Sequence, residues 1–167
     1  MAETIDKKLR EAACHLEEMR KQERRAFGDK ERFDFSLSAF LSATTSACDA
    51  AIKKWTAIWK AGLSPEEESL YDFMREDRRI EVHSSGSRRD VKQDAIKVGV
   101  GGSYSDESGT LTVMGSNIPG SGMGGAVINK PHYYFTIDRV ERDVTDVCAD
   151  YLALLERMAA QFKGDNP

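Results

Sequence analysis

One long apolar pattern constrains this chain more than anything else in it. From Phe33 to Trp59 the residues Phe33, Leu37, Phe40, Leu41, Thr44, Ala47, Cys48, Ala51, Ile52, Trp55, Ile58 and Trp59 recur at three- and four-residue spacing. That is one side of a helix. The small residues Ser42, Ala43, Ser46, Ala47, Ala50 and Ala51 among them let a neighbouring helix approach closely. The pattern predicts a buried helix over residues 34–60, the centre of a helical bundle.

Three further helices are expected around it. Residues 4–26 carry a narrow stripe of Ile5, Leu9, Ala12, Leu16 and Met19 on an otherwise charged segment, ended by Gly28-Asp29. Ser64-Pro65-Glu66-Glu67 is a helix start with a capping box, and Leu70, Phe73, Met74 and Ile80 follow inward, ending near His83. From Asp138 to Phe162 the period returns through Val140, Val144, Val147, Cys148, Tyr151, Leu152, Leu155 and Met158.

Residues 90–137 have another character. Nine of the thirteen glycines lie between Gly99 and Gly125. Residues 96–100, 110–113 and 133–137 read as short strands, with residues 115–125 a loop between them. The expected architecture is mainly α: an antiparallel four-helix bundle in a single domain over residues 1–167. Its helical core covers residues 4–89 and 138–163, and a small β-hairpin, glycine-rich insertion at 90–137 precedes the last helix.

With 167 residues the chain is long enough to bury a core unaided. Its net charge of −4 argues against coating nucleic acid through bulk charge, so any such contact needs a local basic patch. Cys14, Cys48 and Cys148 are far apart, have no zinc spacing, and read as buried free thiols in a reducing compartment. No metal or other cofactor is expected. The first residues are charged, unlike a secretory signal, and no apolar run approaches the ~20 residues of a membrane span. The expected setting is soluble and cytoplasmic.

The candidate chemistry lies at the end of the third main helix, where Arg75, Arg78, Arg79 and His83 precede Ser84-Ser85-Gly86 and the pair Arg88-Arg89. Histidine can shuttle a proton near neutral pH and arginine can clamp a phosphate. Together they can cleave RNA without a metal, because the ribose 2′-hydroxyl is the nucleophile. On a helix Arg78 and His83 point about 140° apart, so they converge only if the helix unwinds before His83. The same residues also suit a solvated helix end, where cations favour the negative C-terminal dipole. Gly99-Val-Gly-Gly102 lacks the Gly-Lys-Ser/Thr of a phosphate loop. Trp55, Trp59 and Tyr133-Tyr134-Phe135 suit a core or an interface better than base stacking. His15 has no third metal ligand within reach, and His132, at an expected strand start, reads as a surface residue.

Residues 33–43, Trp55 and the capped third helix ending in Arg78-Arg-Ile-Glu-Val-His83 together resemble the HEPN superfamily of small helical proteins. The resemblance covers about residues 4–83 and the last helix. It implies a bundle that dimerises so that both Arg/His motifs face one cleft, with Arg78 on the scissile phosphate and His83 in proton transfer. Many members are metal-independent endoribonucleases of toxin–antitoxin or phage-defence systems, leaving 2′,3′-cyclic phosphate and 5′-hydroxyl ends. Arg75, Arg79, Arg88, Arg89 and Lys92 would then guide the RNA backbone. The residue after the motif arginine is usually Asn, Asp or His in active members; here it is Arg79. Two functions therefore stand side by side: a homodimeric RNase with an antitoxin as its protein partner, and a non-catalytic helical dimer that binds a protein partner or a small ligand.

Overall fold

The structure, a computed structural model, describes residues 2–25, 28–51, 53–84, 89–98 and 126–165, with side chains described except at 53–54, 81–84, 93–98 and 126–129. It is mainly helical with a small three-stranded antiparallel sheet: α1 (Ala2–Arg24), α2 (Lys30–Ala50), α3 (Lys53–Lys60), α4 (Pro65–Ser84), β1 (Asp90–Val98), β2 (Ala126–Ile137), β3 (Val140–Asp143) and α5 (Val144–Asp165).

The stripe of α1 is buried along its length, from Ile5 through Met19, and it lies against α2 and α5. The turn into α2 is closely fitted. Asp29 caps α2 by accepting the Arg32 N–H, and its own N–H donates to Oε1 of Gln22 at 3.1 Å. A Cβ on Gly28 would stand 2.3 Å from the Gln22 carbonyl oxygen, so the chain can pass here only as glycine.

The helix expected over 34–60 is two helices. Ala51 is extended (φ −79, ψ 154) and its N–H returns to the Cys48 carbonyl, which ends α2. The aromatics explain the turn. After the break Trp55 meets Phe162 edge-on at 5.0 Å, and Trp59 meets Tyr71 at 5.7 Å. The Trp55 indole also donates to Asp165 at 2.9 Å. Both tryptophans thus anchor α3 to α4 and α5.

The capping box of α4 forms as expected, with Glu67 N–H donating to Ser64 Oγ at 3.2 Å and Ser64 N–H to Glu67 Oε2 at 3.0 Å. This helix spans the space between α2 and α5.

In the sheet, β1 pairs with β2 from Asp90↔Tyr134 to Val98↔Ala126, and β3 pairs only with residues Tyr134 to Ile137. Among the described residues Pro131 therefore sits where β2 has β1 as its one neighbour, and an edge position is where a strand tolerates proline. Side chains alternate: Tyr133 and Phe135 are buried, while Thr136 is exposed. Tyr133 stacks on Phe33 of α2 with ring centroids 3.7 Å apart, and Phe135 meets Phe73 of α4 at 5.2 Å. Two aromatic rings thus fasten the sheet to the helices.

Residues 138–143 are not the start of the last helix. Asp138 (φ 50) and Arg139 (φ 67) form a left-handed two-residue turn, and β3 folds back on β2 before α5 begins. Such a turn matches the twist of a hairpin. The strands expected at 96–100 and 110–113 lie wholly or partly outside the described residues, as do the Gly99–Gly102 segment and the 115–125 loop. Cys48 and Cys148 are buried, but Cys14 is exposed, because it falls off the α1 stripe.

Candidate functional site

Helix α4 remains α-helical through Ser84. The unwinding that would bring Arg78 and His83 together in one copy does not occur. Five residues of continuous helix leave the two positions about 140° apart around the axis. The side chain of His83 and the whole of Arg88 lie outside the described residues.

Each of the other arginines and the lysine is already engaged. Arg75 donates twice to Asp49 Oδ1 at 3.1 Å and once to the Thr45 carbonyl. Arg79 makes a two-point contact with Glu76 at 2.8 and 2.6 Å. Arg89 pairs with Asp34 and lies over the Tyr133 ring. Lys92 pairs with Glu141 across the sheet and lies 4.6 Å over the Tyr134 ring. Arg78 reaches Ser42 Oγ on α2 at 3.5 Å. A basic track built from these residues has its charge largely cancelled residue by residue.

The aromatic residues weighed for base stacking do core work, as the packing of Trp55, Trp59, Tyr133 and Phe135 shows. His132 lies inside β2 rather than at its start, opposite Lys92, with Nδ1 3.8 Å from Asp143 Oδ2.

Three features escape a local reading of the sequence. The first is an open groove of about 580 Å³ lined by His15, Glu18, Asp29, Glu31, Arg32, Phe35 and Ser36. Its aromatic wall, Phe35, is 72% exposed. The pattern hides it because Phe35 falls between Phe33 and Leu37 on the outer side of α2. The second is a cleft of about 660 Å³ beside Cys48, Tyr71 and Arg75, with Lys60 at its rim. Burial pushes the Cys48 thiol up, its Sγ lies 3.9 Å from the Tyr151 hydroxyl, and it is not poised as a nucleophile.

The third is a carboxyl pair. Glu23, near the end of α1, is half-buried beside Asp143 and Thr145. Burial, reinforced by the Asp143 charge, raises its carboxyl to about 7. Nothing near Glu23 in sequence signals this, since its partners lie some 120 residues away.

Among the described residues, no group of three or more His, Cys, Asp and Glu side chains is placed to hold a metal ion. Nor is any described helix long and apolar enough to cross a membrane. No family profile matches the chain, and no curated protein or solved structure is significantly similar to it.

Proposed function

We propose that this chain is a non-catalytic helical module that binds a protein partner in the groove between α1 and α2. One observation carries the choice against RNA: Arg75, Arg79, Arg89 and Lys92 each hold a carboxylate of their own. Phosphate contacts release counterions only when cations are available to them. The groove supplies the alternative. Exposed aromatic residues are frequent anchors of protein interfaces. Around Phe35 stand three carboxylates, Glu18, Asp29 and Glu31, against one arginine. That chemistry fits a segment with an apolar anchor flanked by basic residues.

An NMR titration with two probes tests this reading. A short peptide with leucine flanked by arginines is expected to shift the amides of Arg32, Phe35 and Ser36, and to lose that effect in Phe35→Asp. Single-stranded RNA at physiological salt is expected to bind no tighter than about 10⁻⁴ M. Peptide shifts scattered away from the groove, or micromolar RNA binding centred on α4, would overturn it.

A second reading, a metal-independent endoribonuclease of the HEPN kind, is favoured by helix order. Among the four long helices, the third opens on the Ser64–Glu67 capping box and carries Arg78 and His83 in its last two turns. A bundle of those four helices would suit the family. This reading requires a homodimer in which Arg78 of one copy meets His83 of the other, given their separation around a single α4.

A further inference from the structure

The hydroxyl of Thr145 stands between two carboxyl groups, 2.8 Å from Glu23 Oε2 and 2.7 Å from Asp143 Oδ1. A hydroxyl has one proton to give. Asp143 Oδ1 is the natural recipient, because it also accepts the N–H of Thr145 at 2.8 Å and of Asp146 at 3.3 Å, which caps α5. An acceptor with that many donors is a carboxylate anion. The remaining contact then attracts only if Glu23 Oε2 carries a proton and donates it to Thr145 Oγ. The other oxygen of Glu23 agrees, for Oε1 is buried and without a hydrogen-bond partner. An ionised carboxylate left so would be costly.

We propose that Glu23, Thr145 and Asp143 form a proton-operated clasp, which joins the end of α1 to β3 and the start of α5 when Glu23 is protonated and loosens when it ionises. The joint matters because it is where the sheet returns to the helices. Once Glu23 ionises, two carboxylates face a hydroxyl that can satisfy only one of them.

The surroundings favour the neutral form. Asp143 on β3 and Asp146 on α5 repel a charge at Glu23, and Lys130 on β2 attracts it. Tyr133 of β2 and Cys148 of α5 face it as neutral groups. Arg20, one turn back on α1, is turned to Glu17. His132 lies beyond Asp143, near its outer oxygen.

The sign follows from where the proton is held. The folded-state value of about 7 lies above the ordinary 4.5, so the proton's stabilisation is complete below about 4.5 and is lost as pH rises to about 7. Operation therefore falls in the mildly acidic to neutral window.

Glu23→Gln keeps a donor toward Thr145 without a titratable proton. The wild-type melting temperature, relative to that of Glu23→Gln, is expected to fall between about pH 4.5 and pH 7 and to level off above. As pH rises through about 7, protection of the Thr145 and Asp146 amides against hydrogen exchange is expected to drop in wild type and hold in the variant. A constant difference in melting temperature with equal protection would overturn the clasp. Should Glu23→Gln fail to fold, the ¹³C-carboxyl titration of Glu23 decides on the wild type and Asp143→Asn. A midpoint near neutrality that moves down in Asp143→Asn supports the proposal, and a wild-type midpoint at the ordinary glutamate value refutes it.

Discussion

Phe33→Ala is expected to cost about 3–5 kcal/mol and to lower the melting temperature by about 10 °C. The ring is fully buried and stacked on Tyr133 at 3.7 Å, so its loss empties the seam between α2 and the sheet. Tyr133 does not move in to fill it, since it is fixed by the register of β2 against β1. Phe33→Leu, which keeps most of the volume but not the stacking, is expected to lose about half as much. Thermal melts of the two variants check the ordering. Equal and small losses would mean that the sheet is fastened elsewhere.

Asp34→Ala is expected to cost about 2 kcal/mol, more than Arg89→Ala. The guanidinium side chain of Arg89 is only 12% exposed, whereas Asp34 keeps 38% of its side chain in water. Losing the carboxylate strands an enclosed cation; losing the cation leaves a carboxylate with Oδ1 buried but the rest of its side chain open to water. The value is set below that of a fully buried pair because the exposed side of Asp34 is screened. A double-mutant cycle measured by denaturant unfolding is the check. Asp34→Ala with Arg89→Ala should be more stable than Asp34→Ala alone, and strict additivity would contradict the pairing.

Much of this fold can be read from its apolar spacing, and the places where the reading fails have physical causes. The stripes of α1 and α5 and the capping box at Ser64 and Glu67 are local signals, and local interactions carry them. The alternation at Tyr133, Tyr134 and Phe135 likewise announces a strand. The break at Ala51 leaves no local mark, because it arises from where Trp55 and Trp59 find partners on α4 and α5. Val140, Val144 and Val147 fit a helix as well as they fit a strand running into one. The turn at Asp138-Arg139 lacks the glycine that would have separated the two.

The site was less legible than the fold. Spacing places Arg75, Arg78, Arg79 and His83 on one helix but cannot show which carboxylates reach them. Asp49 lies 26 residues from Arg75, and Glu141 lies 49 from Lys92. Glu76, three residues from Arg79, was within sight of the sequence and points to a solvated helix surface there. Long-range pairing likewise conceals the Glu23 clasp.

The central claim, binding without cleavage, meets its most direct test in a single incubation. Purified wild type and His83→Ala are held with labelled RNA in excess EDTA, and the product ends are analysed. The account predicts intact RNA with both proteins. Fragments ending in 2′,3′-cyclic phosphate from wild type alone would contradict it and put His83 in a working nuclease site.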